Sequence, residues 1–135
     1  MFSQEEREYL KSQRLARVAT ASRAGIPEVS PVGFEYDGKY FWIGSHSQEI
    51  LPRTRRYKNI VSGNTRVSLV VDDLASANPW RPRGIKVRGI AEVMKHDGIF
   101  GSGTYIRITP KVTVSWGIEP VQKDQGFSPS VKRWD

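Results

Sequence analysis

Apolar and polar residues alternate with a period of two along most of this chain, the spacing of strands, and two short segments break that rhythm. The first runs from Ser3 to Ser12 and reads as a helix. Ser3 can cap it, Glu6 completes a capping box, and Glu5 and Glu6 suit the positive end of the helix dipole. Phe2, Tyr9 and Leu10 fall on its buried side. Leu15, Arg17 and Ala19 then alternate with Ala16, Val18 and Thr20 up to a turn signal at Ser22-Arg23-Ala24-Gly25. Glu28 to Tyr36 reads as a second strand, in which Pro31 points to an edge or a bulge. Asp37-Gly38 gives a two-residue turn into Lys39 to Gly44. Pro52 opens a short basic helix reaching about Val61, ended by Ser62-Gly63-Asn64. Arg66 to Asp72 is a β-branched strand, Asp73 to Arg83 a loop rich in Pro, Arg and Asn, and Gly84 to Met94 another strand. In that strand Ile85, Val87 and Gly89 alternate against Lys86, Arg88 and Ile90. Lys95 to Gly103 reads as a glycine-rich turn, Thr104 to Gly117 as the last long strand, and Gln122 to Asp135 as a polar tail. Hairpins with one crossover predict a small antiparallel barrel over residues 1–121, rather than a doubly wound sheet.

Composition narrows the partners. The 135 residues suit one core, and 21 Lys and Arg against 14 Asp and Glu leave a net charge of +7. That surplus favours nucleic acid, an anionic membrane face or a phosphorylated small molecule. No cysteine is present, which excludes disulfides, thiolate metal sites and cysteine nucleophiles. No apolar run approaches the ~20 residues of a membrane helix. The polar, acidic start is not a signal peptide, so a soluble cytoplasmic protein is expected.

The densest candidate chemistry is Thr54-Arg55-Arg56-Tyr57-Lys58-Asn59. A hydroxyl, two guanidinium forks and an ammonium are groups that hold a phosphate. Arg55 and Arg56 cannot share a helical face, whereas Thr54 and Lys58 can. The alternative is a solvated cationic face. In Asn78-Pro79-Trp80-Arg81-Pro82-Arg83 two prolines stiffen a loop that presents an aromatic ring and two guanidiniums. It either stacks on a planar ligand or packs Trp80 under exposed arginines. Gly44-Ser45-His46-Ser47 permits close approach of a ligand to backbone, with His46 a proton donor, a phosphate contact or neither. No metal-ligand spacing and no nucleophile motif occur; Asp72-Asp73 reads as a cap or an arginine partner. An enzyme built from these residues takes its chemistry from a cofactor.

The order of these segments resembles the pyridoxamine 5′-phosphate oxidase-like split-barrel proteins, which bind FMN or the deazaflavin F420. The likeness rests on Leu15 to Thr20, Gly25-Ile26-Pro27, Pro31-Val32, Thr54 to Ile60, Thr65 to Val71 and Ile85 to Ala91. Val71 to Leu74, Pro79 to Gly84, Ile106 to Lys111 and Ser115-Trp116-Gly117 look closest to the F420-dependent branch. The resemblance spans roughly residues 5 to 118. It implies a mainly β, six-stranded antiparallel split barrel with short flanking helices, working as a homodimer with cofactors in clefts between subunits. It places Thr54, Arg55, Arg56 and Lys58 on the cofactor phosphate and Gly44 and Ser45 beside the ring, with His46 also among the cofactor-binding residues. Trp80, Arg81 and Arg83 would close the cleft from the other subunit. Gln48 to Pro52 has no counterpart, which leaves open whether Arg53, Arg55 or Arg56 meets the phosphate. The substrate-binding C-terminal residues of vitamin B6 oxidases are missing.

The expected activity is hydride transfer between F420 and a small organic substrate. An FMN-binding oxidoreductase and a non-catalytic cofactor-binding protein are the alternatives. Neither nucleic acid nor membrane is an expected partner.

Overall fold

In a computed structural model of the chain, which describes residues 1–120 and 128–134, helix α1 (Gln4–Ser12) leads into three strands. These are β1 (Leu15–Ala21), β2 (Pro27–Tyr36) and β3 (Phe41–Ile43). A 3₁₀ turn (Leu51–Arg53) and helix α2 (Arg55–Val61) precede β4 (Arg66–Ser76), β5 (Arg81–Gly98) and β6 (Gly101–Trp116), and β7 (Ser130–Arg133) follows. The capping box forms as its residues predict: Glu6 N–H donates to Ser3 Oγ at 3.2 Å, and Ser3 N–H donates to Glu6 Oε1 at 2.8 Å.

All pairings are antiparallel, in the order β3-β2-β1-β4-β5-β6-β7. A further pairing of β3 with β6, Phe41 opposite Ile108 and Ile43 opposite Ile106, closes six strands into a barrel. Its interior is filled by side chains, as the size of such a barrel requires. Ala16 and Val18, Phe34, Phe41 and Ile43, Leu69 and Val71, and Ile85 and Val87 all face inward. β7 takes the rest of the same β6 edge, from Val112 opposite Arg133 to Ser115 opposite Ser130.

The helices cover the two ends. At one end Phe2 packs edge-on to Phe41, and the Tyr9 hydroxyl donates to Asp73 Oδ1 at 2.9 Å. At the other, buried Asn59 of α2 donates to Thr20 Oγ1 at 2.9 Å. Among the described residues no helix is long and apolar enough to cross a membrane.

Several boundaries differ from the sequence pattern, each for a physical reason. The expected loop Asp73 to Arg83 is mostly hairpin. β4 runs to Ser76 and β5 starts at Arg81, because the backbone ladder continues through a stretch whose composition hides it. The expected turn Lys95 to Gly103 shrinks to Ile99 and Phe100, with Gly98 still paired to Gly101. The basic helix is interrupted at Thr54, whose extended backbone (φ −73°, ψ 148°) and side-chain cap start α2 afresh. The tip of the β2–β3 hairpin is Gly38-Lys39, one residue later than expected. Gly38 takes φ 101°, and Asp37 Oδ1 accepts from the Lys39 and Tyr40 amides at 2.8 and 2.7 Å. Part of the expected tail is ordered structure. Besides β7, Trp134 packs on Phe2 with ring centroids 4.9 Å apart and donates its indole N–H to Thr113 Oγ1 at 2.9 Å. The remaining tail positions, 122–127 and 135, lie outside the described residues.

Candidate functional site

β3 pairs with β2 only from Phe34 to Tyr36, so among the described residues β2 from Pro27 to Gly33 has a partner strand on one side alone. Pro31, which has no N–H to give, therefore sits on an edge, as its residue type requires. The chain that leaves β3 at Gly44 and returns as α2 packs near this open edge, with α2 against β1, β2 and β5.

Within that segment the glycine has a packing reason. Gly44 is buried, and a Cβ there would lie 2.6 Å from Phe100 Cδ2 and 2.6 Å from Tyr105 Cε2. The space that a side chain there would take is filled by the chain's own rings. Ser45 is half-buried, with its Oγ accepting from the Ser47 amide at 3.3 Å. His46 is exposed, edge-on to Phe100 at 4.8 Å.

The basic segment divides by burial. The Thr54 hydroxyl donates to Leu51 O at 2.7 Å and accepts from Tyr57 N–H at 3.3 Å. Its one proton is committed to backbone, so it caps α2 and has no donor left for a phosphate. Arg53, Arg55 and Lys58 are exposed. Arg56 is half-buried, and its Nε is buried without a hydrogen-bond partner among the described residues. Burial draws its pKa down from the ordinary arginine value. A buried guanidinium N–H with no acceptor is costly, and an anion supplies the missing acceptor.

The third group stands apart. Trp80 is 69% exposed beyond the β4–β5 hairpin, and Arg81 is exposed beside it. Arg83 is taken by Asp73, with Nε–H to Oδ1 at 2.7 Å and Nη2–H to Oδ2 at 3.0 Å. Asp72 likewise pairs with Arg17 at 2.8 Å, so both aspartates are arginine partners. Arg83 lies at the α1 end of β5, and Ala91 marks the α2 end. Eight residues of strand separate them, roughly 26 Å. One chain therefore does not bring Trp80 to Arg56.

Sequence reasoning missed Phe100 and Tyr105. Phe100 lies over Gly33 and Gly44, and its N–H donates to the Tyr105 hydroxyl at 2.9 Å. The signal was two glycines at the facing ends of neighbouring strands, a floor that calls for a ring above it.

Residues 2–116 match the family described as pyridoxamine 5′-phosphate oxidase. The chain belongs to the pyridoxamine 5′-phosphate oxidase family. It is 34% identical over 122 residues to the 5a,11a-dehydrotetracycline/5a,11a-dehydrooxytetracycline reductase of Streptomyces rimosus, covering 87% of this chain and 84% of that one. The fold is shared with an F420 reductase (TM-score 0.63, 17% identity, 83% of this chain and 98% of that one). It is shared too with a heme binding protein from Mycobacterium smegmatis (TM-score 0.69, 14% identity, 98% of this chain and 59% of that one). The fold is thus shared by solved structures named for different chemistries, and the relative at 34% identity is named a reductase.

Proposed function

We propose that the protein is an F420-dependent oxidoreductase acting on a conjugated organic substrate. The observation that carries this reading is Arg56: a guanidinium half-buried on α2, with an Nε that no described residue satisfies. A cofactor phosphate fits that vacancy. Arg53, Arg55 and Lys58 are exposed around it and exceed what one phosphate monoester needs. They suit a cofactor with a phosphodiester and an acidic glutamyl tail, which describes F420 better than FMN. When bound, the cofactor supplies hydride transfer; the chain's own residues orient it and shield it from water. The reductase relative supports a substrate that accepts a hydride at a conjugated carbon.

The reading includes a homodimer. Leu15 is 54% exposed at the start of β1, an apolar position on the outer side of the sheet that a second copy would cover. Such a copy is also what would bring a Trp80 and an Arg81 to the site.

Fluorescence titration of the purified protein with F420 and with FMN tests the proposal. Tight F420 binding and weak FMN binding support it, followed by turnover assays with reduced F420. The reverse preference assigns the chain to flavin. Tight binding with no turnover across a panel of conjugated ketones makes it a cofactor-binding protein.

A further inference from the structure

A groove of about 420 Å³ crosses the outer face of β1, β4 and β5. Among the described residues no carboxylate lines it, while three cations do: Arg66 from β4, Arg88 from β5 and Lys111 from β6. None of the three forms an ion pair among the described residues, although the chain pairs Arg17, Arg83, Arg107 and Lys132 elsewhere. Its floor holds small side chains, with Ala19 and Ser68 among them, so a ligand can approach the sheet closely.

The convergence follows from the sheet register. Ser68 faces Arg88 and Arg66 faces Ile90, which makes Arg66 a diagonal neighbour of Arg88 on one face. Lys111 arrives through a β-bulge. Arg88 pairs with Val112 and Gly89 with Pro110, leaving Lys111 as the extra residue. A bulge bends its strand and re-aims a side chain. The same shift moves the buried positions of β6 from Ile106, Ile108 and Pro110 to Thr113 and Ser115. Trp134 N–H donates to Lys111 O at 2.8 Å and pins the bulged backbone. Three like charges held together by a fixed ladder repel one another unless an anion lies between them.

We propose that the groove between Arg66, Arg88 and Lys111 is a second ligand site, which binds a small molecule carrying two or more phosphate or carboxylate groups. Its three cations are different residues from the cluster around Arg56, so the site does not rest on a phosphate bound there.

The probe is inorganic pyrophosphate, titrated at fixed ionic strength and followed by amide NMR shifts. The wild type is compared with the Arg88→Gln/Lys111→Gln double variant and with Arg56→Gln. The expected result is saturable binding with shifts centred on the groove. The double variant should weaken it about tenfold or more, while Arg56→Gln leaves it unchanged. Arg88 and Lys111 are exposed, and the NMR spectrum of the double variant checks its fold directly. No pyrophosphate shifts in the groove, groove shifts that survive the double variant, or groove shifts lost in Arg56→Gln alone each overturn the proposal. So does binding of single-stranded DNA without binding of pyrophosphate. F420 titration of the double variant then separates the sources. Weakened F420 with unchanged FMN assigns the groove to the cofactor's acidic tail, and unchanged F420 assigns it to a free polyanion.

Discussion

Arg83 grips Asp73 through two parallel bonds, and the Tyr9 hydroxyl closes on the same Asp73 Oδ1 at 2.9 Å. Arg83 also lies over the Tyr9 ring, 5.1 Å from its centroid. The cluster ties α1 to the β4–β5 hairpin, and the bonds from Arg83 hold the Asp73 carboxyl below its ordinary pKa. Arg83→Ala is therefore expected to act on stability. Both partners are about one-third exposed, at 34% and 31%, so the loss is modest. It should be about 1 kcal/mol in a denaturant melt. Cofactor affinity should stay within about twofold. A tenfold weaker cofactor with an unchanged melt would move Arg83 from the helix tie to the site.

Arg56 and Arg55 are neighbours with opposite expectations. Arg56 carries a buried, unpartnered Nε, whereas Arg55 is exposed. Arg56→Ala should weaken cofactor binding more than tenfold, since a charge-assisted bond is worth ~1.5–3 kcal/mol. The cofactor-free protein should be no less stable, because the substitution removes an unsatisfied buried group. Arg55→Ala should weaken binding by about threefold or less, as an exposed charge does. Fluorescence titrations and melts of the two variants check both halves. Equal effects of the two substitutions would mean that the segment acts only as a cationic face.

Glu6 links the first helix to the last strand. Its side chain is buried and ion-paired to Lys132, 26% exposed on β7. Burial pushes its pKa up, but bonds from Lys132, Ser115 and the Ser3 amide outweigh that and leave it below the ordinary 4.5. With the folded value below the unfolded one, the native state binds fewer protons on the acid side. The stabilisation is complete above about pH 4.5 and is lost as pH falls through the folded pKa. Glu6→Gln should cost about 2 kcal/mol at neutral pH, and the gap to wild type should narrow in acid. Urea melts at about pH 7 and about pH 3 measure it. A gap that stays constant would mean that the charge of Glu6 contributes nothing to the fold.

The barrel was legible because alternation is a direct image of a pleated wall: Ile85 and Val87 point in, Lys86 and Arg88 out. The ends of β4, β5 and β6 were not, because Gly, Pro and Asn near Asn78 and Gly101 signal turns while the backbone ladder continues past them. Arg56 was legible only as one cation of four, since burial that sets it apart is a property of packing. Thr54 carried a double meaning: a hydroxyl before a basic helix is both a phosphate ligand and a cap, and its bond to Leu51 O decides for the cap. The Lys111 groove was invisible, because it needs three strands in register and one extra residue. Gly44 was read as room for a ligand, whereas the room belongs to Phe100 and Tyr105.

That last relation makes a sharp test. A Cβ on Gly33 would lie 2.5 Å from Phe100 Cζ, and its nearest contacts are all on that ring. A Cβ on Gly44 would meet Phe100 Cδ2 and Tyr105 Cε2 at 2.6 Å each. Each alanine substitution should destabilise by about 1–3 kcal/mol through overpacking. The two should differ in a Phe100→Ala background. Gly33→Ala should become nearly neutral, since its obstacle is gone. Gly44→Ala should recover only in part, because Tyr105 is fully buried and anchored by its hydroxyl to Gly101 O at 2.7 Å. Thermal melts of the two double-mutant cycles give the coupling energies directly. If Gly33→Ala costs as much without Phe100 as with it, the glycine answers to backbone conformation instead, and the ring over the open edge is incidental.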